Sequence, residues 1–167
     1  ISQLEFAWDN LHLDEDEYGG AQEIARHHFV TSAQPLSPTQ PIHCFNRYRR
    51  AWFCYIVAQM NKLEYLVWAR EVKNCDWDEN TINTAVYQGN LAMVRYCVEN
   101  GCPMDSEACW FAAMEGHLDV LKYLHENDCP WDSDACSYAH RNNHDDCLNY
   151  LIEQKCEGFE LFSHQQY

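Results

Sequence analysis

Residues 105–131 read DSEACWFAAMEGHLDVLKYLHENDCPW, and the punctuation of this stretch is that of two short helices and a loop. Asp105 stands where a helix N-cap belongs, with Glu107 acidic in the first turn. The pattern predicts a helix from Ser106 to about Glu115. Gly116 and His117 break it. A second helix follows from Leu118 to Glu126, with Leu118, Leu121 and Leu124 on one face and Val120 beside them. Asn127, Asp128, Cys129 and Pro130 then form a loop, because proline has no N–H with which to continue a helix. Neither helix can bury its apolar stripe alone.

The same 27 residues recur on both sides. Cys75, Cys102, Cys129 and Cys156 follow one another at steps of 27, as do Ala85, Ala112 and Ala139, and Tyr96, Tyr123 and Tyr150. Gly89 and Gly116 keep the step, with Asn143 one period further on. Leu91 pairs with Leu118, and Cys109 with Cys136. Trp77, Met104, Trp131 and Phe159 nearly keep it, the last one residue late. A period of this length means stacked supersecondary units that complete a core only together.

The run Ala112-Ala113-Met114-Glu115-Gly116-His117-Leu118-Asp119-Val120-Leu121 resembles the ankyrin signature, in which two alanines, a Gly-His turn and an aliphatic helix follow one another. Ankyrin units have about 33 residues; here the shortfall lies in the loop between units, where ankyrins carry a projecting β-hairpin. With its Cys-Pro-Trp-Asp ending, the stretch 117–131 looks like the shortened, cysteine-rich repeats of giant viruses, algae and protists. The resemblance covers residues 50–157 in four units, 50–77, 78–104, 105–131 and 132–157. It departs at one extra residue between Glu71 and Asn74, at Asn61 and Asn143 in place of the turn glycine, and at Asp145 in place of leucine. It implies an all-α fold, a short helix-turn-helix solenoid of about four repeats with an N-terminal helical or extended arm.

Residues 1–49 do not join the repeat. Leu4, Trp8 and Leu11 suggest a short amphipathic helix, Gly19-Gly20 breaks the chain, and Pro35, Pro38 and Pro41 mark an extended linker. Two readings stand open: a cap over the first repeat, or an arm that docks on a partner through Phe6, Trp8 and Leu11. Residues 158–167 read as a tail.

Charge excludes some partners. The chain of 167 residues carries 26 acidic against 11 basic side chains, a formal net charge of −15. Phosphate contacts need clustered Lys and Arg, so nucleic acid is not the expected partner. The basic knot Arg47, Arg49 and Arg50 reads as a solvated face at a helix start. The longest apolar run, Ala51 to Ala58, has eight residues, against about 20 for a membrane-spanning helix. The chain starts at Ile1 without a methionine, which leaves room for a removed targeting peptide.

Ten cysteines raise the question of metal and redox chemistry. No Cys-x-x-Cys pair is present. Equivalent cysteines of adjacent units sit about 8–10 Å apart if they follow packed helices, too far for a disulfide or a shared zinc. They read as small apolar residues in a reducing compartment, the cytoplasm, or an organelle stroma or matrix if a targeting peptide is removed. Cys136, His140 and His144 form an i, i+4, i+8 ladder and keep a metal-binding or redox alternative open. Residues 14–25 faintly imitate a calcium loop, but Tyr18 and Ala25 stand where ligands are needed. No nucleophile elbow or phosphate-binding glycine loop is present, and no cofactor is implied. The turn histidines His117 and His144 read as backbone-bonding groups rather than bases.

What remains is surface. In a stacked array the first helices line a concave side, where residues outside the repeat pattern are free to specify a partner. These are Tyr55, Asn83, Trp110 and Ser137, then Gln88, Met114, Glu115, Arg141 and Asn142. Trp110 and Met114 are the best anchors, because large apolar side chains dominate interface energies; against this, Trp110 has a packing partner in Tyr138 of the next unit. The expectation is a non-enzymatic protein–protein interaction module, a scaffold or accessory subunit of a larger assembly. The alternatives are the metal or redox protein and an adaptor whose N-terminal arm, with Trp8, does the binding.

Overall fold

The computed structural model describes residues 42–156, 158 and 160. Over them, α1 (Ile42–Gln59), α3 (Glu79–Tyr87), α5 (Ser106–Glu115) and α7 (Ser133–Arg141) alternate with α2 (Leu63–Glu71), α4 (Leu91–Glu99), α6 (Leu118–Glu126) and α8 (Asp145–Glu153). No strand occurs among the described residues. The readings made for the arm, including Trp8, the calcium-like stretch and the proline linker, fall outside the described residues, as does most of the tail. The first helix begins at Ile42 rather than near residue 50, so Arg47, Arg49 and Arg50 lie within it and not at its start.

Aspartates start the later first helices. Asp78, Asp105 and Asp132 are extended and accept the backbone N–H two residues on, at 3.1, 3.1 and 3.0 Å. Each such cap contributes about 1 kcal/mol. Each turn between the two helices of a unit needs a left-handed residue, and Asn61, Gly89, Gly116 and Asn143 supply it with φ of 55°, 66°, 75° and 60°. A second left-handed residue precedes each loop cysteine: Asn74, Gly101, Asp128 and Lys155, at 54°, 74°, 58° and 55°.

The first helices pack against one another in sequence, α1 on α3, α3 on α5 and α5 on α7, more closely than the second helices do. Small side chains explain this. Ala85, Ala112 and Ala139 are fully buried on successive first helices, and alanine lets backbones approach. Long side chains fill the wider gaps between second helices. Arg70 lies 4.0 Å over the Trp77 ring, which meets Tyr96 edge-on at 5.9 Å. Two units on, His125 stacks on Trp131 at 3.9 Å, and its Nδ1 lies 2.8 Å from the Tyr150 hydroxyl. Tyr96 is pushed up to about 12 by burial and then by Glu71, toward whose Oε1 its hydroxyl donates at 3.4 Å.

The contact that fixes one unit on the next is a histidine ring filling a missing side chain. A Cβ at Gly89 would stand 2.6 Å from His117 Cε1, and one at Gly116 would stand 2.5 Å from His144 Nδ1. His117 Nε2 also reaches the Tyr87 carbonyl of the preceding unit at 3.2 Å. At the first junction neither glycine nor histidine is present. There Asn90 Nδ2 donates to Asn61 Oδ1 at 2.7 Å, and Gln88 Nε2 donates to the Gln59 carbonyl at 3.1 Å. At the far end, Asn143 occupies the glycine position and is exposed. His140 and Asp145, in place of buried Ala113 and half-buried Leu118, are exposed too. The fourth unit thus presents a polar outer side.

The cysteines hold loops to their own units. Cys102, Cys129 and Cys156 donate from Sγ to the carbonyls of the cap residues Asp78, Asp105 and Asp132 at 3.4, 3.4 and 3.3 Å. In the first unit Arg70 Nη1 hydrogen-bonds to the Cys75 carbonyl. A second thiol meets each loop thiol: Cys54 meets Cys75, Cys97 meets Cys102, Cys109 meets Cys129 and Cys136 meets Cys156. All nine described cysteines are free and buried. The neighbouring thiol and then burial push Cys54, Cys102 and Cys109 well above the ordinary thiol range. Burial and then Asp146 raise Cys147 to about 11.

Gly116→Ala must both hold alanine at positive φ and displace the His144 ring, and the expected cost is about 2–4 kcal/mol in urea unfolding. Adding His144→Ala should return part of that loss, whereas Asn143→Gly should change stability by less than about 1 kcal/mol. Equal costs at 116 and 143 would remove the interlock. The native thiols should react with a disulfide reagent about a hundredfold more slowly than in urea, those of the fourth unit first. Fast labelling of the inner units' cysteines in the native chain would contradict their packing role.

Candidate interaction surface

Along α5, two pairs of adjacent positions face the core and the remainder do not. In α5 the buried residues are Ala108, Cys109, Ala112 and Ala113, while Glu107, Trp110, Phe111 and Met114 stay at the surface at i, i+3, i+4 and i+7. The same four positions carry Trp52, Tyr55, Ile56 and Gln59 in α1 and Asn80, Asn83, Thr84 and Tyr87 in α3. In α7 they are Asp134, Ser137, Tyr138 and Arg141. No residue type repeats down any of these columns.

Rings run continuously across three helices on this face. Tyr87 of α3 meets Phe111 edge-on at 6.0 Å, Phe111 lies against Trp110 at 3.9 Å, and Trp110 stacks on Tyr138 of α7 at 5.0 Å and 25°. Arg141 closes the row with its guanidinium 5.8 Å over the Tyr138 ring. Tyr87 is 47% exposed and Trp52 38%, while Trp110, Phe111, Met114 and Tyr138 are half-buried.

The sequence-derived candidates separate on inspection. Trp110 packs on its neighbour Tyr138 and still presents part of its ring to solvent. Met114, Tyr55 and Glu115 are half-buried, and Arg141 is exposed. Asn142 is exposed, but its Nδ2 donates to the Tyr138 carbonyl at 3.0 Å and so closes its own helix. Ser137 does the same kind of work, donating to the Ser133 carbonyl at 3.1 Å. Gln88 ties the second unit to the first rather than standing free. Asn83 is not a surface residue: it is 5% exposed, and its Nδ2 donates to Asp105 Oδ1 of the next unit at 3.2 Å. A polar side chain at a face position is here used as an inter-unit tie, because α3 and α5 approach closely at that point.

Phe111, Tyr138 and Tyr87 were missed as surface residues. Their signal was available, since each stands one or four positions after a residue already singled out, on the same helical face.

Carboxylates border the rings. Lost solvation, then Asp105 and Glu79, raise the Glu107 carboxyl above its usual range. For a carboxylate this sign means that the charged form is disfavoured in the folded chain, so its ionisation costs stability as pH rises through that range.

The cysteine–histidine ladder does not converge. Cys136 is buried against Cys156, His140 is exposed, and the His144 ring lies on Gly116. Among the described residues no group of three or more His, Cys, Asp or Glu side chains is placed to hold a metal ion. No described helix is long and apolar enough to cross a membrane.

Comparison with known proteins agrees with the stacked geometry. A family model for ankyrin repeats, in three copies, matches residues 82–161. No curated protein and no solved structure matches the chain. Residues 82–161, the second to fourth units of the array, are ankyrin repeats.

Proposed function

We propose that the first-helix face of this array binds another protein, and that the chain acts without catalysis as a scaffold or accessory subunit of a larger assembly. Ankyrin repeats are in general protein-interaction modules, and the coarse reading follows from the family. The observation that supports the finer one is the row Tyr87, Phe111, Trp110 and Tyr138. It crosses three units, is open to solvent, and has no counterpart in the repeat pattern that builds the core. Aromatic side chains that are part-exposed and already fixed by their neighbours lose little freedom on binding, and such anchors dominate interface energies. The free, buried thiols support a reducing compartment as the setting.

Two side chains on this face can be changed without touching the core. Tyr87→Ala and Met114→Ala should each retain the wild-type melting curve and together weaken capture of the partner about tenfold or more. Trp110→Ala should weaken it further, with a modest loss of stability from the broken Tyr138 stack. Deleting residues 1–33 should leave capture intact. Size-exclusion of a gentle lysate, followed by mass spectrometry, identifies the partner: elution far above the 19.7 kDa chain mass is expected. Full capture by the Tyr87, Met114 and Trp110 variants, or its loss on deleting the arm, would place the binding element elsewhere.

A further inference from the structure

The first-helix face is rich in rings and hydrogen-bond acceptors and poor in donors. Across its four surface columns Arg141 is the one cation among the described residues. Glu107 and Asp134 stand in the outermost of those columns, and Glu115 flanks the face. Two further acceptors lie on α3 and at its C-terminal end. Asn83 donates to Asp105, but its Oδ1 is buried without a hydrogen-bond partner, and so is Oε1 of Gln88. The carboxylates of Asp105, Glu107 and Glu79 crowd one another across the α3–α5 junction.

The rings have a matching preference. Their faces carry negative electrostatic potential, and a guanidinium is the cation that stacks on them best. Among the described residues that contact is made by Arg70 over Trp77 at 4.0 Å, Arg95 over Tyr123 at 4.4 Å and Arg141 over Tyr138 at 5.8 Å. A guanidinium also brings five N–H donors to a surface whose exposed charged acceptors are Glu107 and Asp134. Spacing adds a further constraint. Packed helices lie about 8–10 Å apart and an extended chain advances about 3.3 Å per residue, so one unit corresponds to about three residues of a bound strand.

We propose that the occupant of this face is an extended segment of a partner protein that presents arginine side chains about three residues apart, set against the ring row of Tyr87, Phe111, Trp110 and Tyr138 and hydrogen-bonded to the exposed carboxylates of Glu107 and Asp134. The inference rests on the reading of this face as a protein-binding surface and names the chemistry of what it binds. The net charge of −15 speeds the approach of such a segment, and the ring and acceptor geometry selects it.

The test uses the full chain and fluorescein-labelled twelve-residue Gly/Ser peptides with three arginines at every third position, read by anisotropy at physiological salt. Saturable binding is expected, weaker for the isomer with adjacent arginines and weaker again for the lysine version. Trp110→Ala and Glu107→Gln should each reduce affinity about tenfold, while Trp110→Phe, which keeps a ring, should lose less. Glu107→Gln removes a crowded charge, so it should melt no earlier than the wild type, which separates lost binding from lost folding. Glu99→Gln with Glu126→Gln, at the ends of the second helices, should leave affinity within about twofold. If those two distant changes weaken binding as much as Glu107→Gln, or spaced and adjacent arginines bind alike, the interaction is bulk charge and the proposal fails. No binding by any of the peptides overturns it as well. A partner captured through Tyr87 and Met114 that has no basic segment also overturns this inference, while leaving the protein-binding reading in place.

Discussion

A histidine ring set where a glycine has no side chain governs the spacing of the array. His117 fills the space above Gly89, and His144 fills that above Gly116. The ring sets how near the next unit can come, and the backbone beneath it must be left-handed, so one position answers two demands. Close approach there brings the alanine columns of the first helices together, and every apolar residue of the core is buried as a consequence. Where one partner changes, the other changes with it. Asn61 and Asn90 hydrogen-bond in place of the glycine and the ring, and asparagine tolerates positive φ at modest cost. Asn143 takes the glycine position at positive φ and is exposed. The departures from the repeat at residues 61, 90 and 143 are thus consequences of position in the stack.

The shortness of the unit has a related origin. Each loop must return from the end of a second helix to the start of the next first helix. Here it does so by docking on its own unit, through a left-handed residue and then a cysteine that donates to the carbonyl of the cap aspartate. A thiol makes a weak donor, but it is small and apolar enough to be buried. It meets a second thiol in the core, so sulfur serves as packing and as latch at once. A projecting hairpin is unnecessary for closing the loop. That leaves the proposed interaction face to the first helices.

Much of this was legible in the sequence, for a physical reason. The helix bounds of the third unit, the aspartate caps and the glycine turn depend on local chemistry, and the 27-residue step exposes them repeatedly. His140 looked like an isolated ligand candidate because its column is alanine or valine elsewhere; in the fourth unit that position is exposed, so a polar side chain costs nothing there. Three features were not legible. The meeting of two cysteine columns within a unit depends on how a loop folds back, which the spacing along one column cannot reveal. The start of α1 at Ile42 lies before the repeat's own register. The burial of Asn83 depends on the distance between α3 and α5, so a residue that varies down its column was mistaken for a free one.

Variation down a column is therefore not sufficient evidence of a binding role, and the structure supplies the missing criterion. Asn83, Gln88, Ser137 and Asn142 vary, yet each spends a donor on a helix end or a neighbouring unit. Tyr87, Phe111, Trp110 and Tyr138 also vary, but their contacts are with one another, and none of them fixes the register of the stack. The interlock and the alanine columns already do that, so the rings add a continuous apolar row where the fold does not need one. Large side chains left partly exposed in this way cost solubility, which the acidic residues around them offset. A surface that is expensive to expose and continuous over three units is what the proposed binding role accounts for.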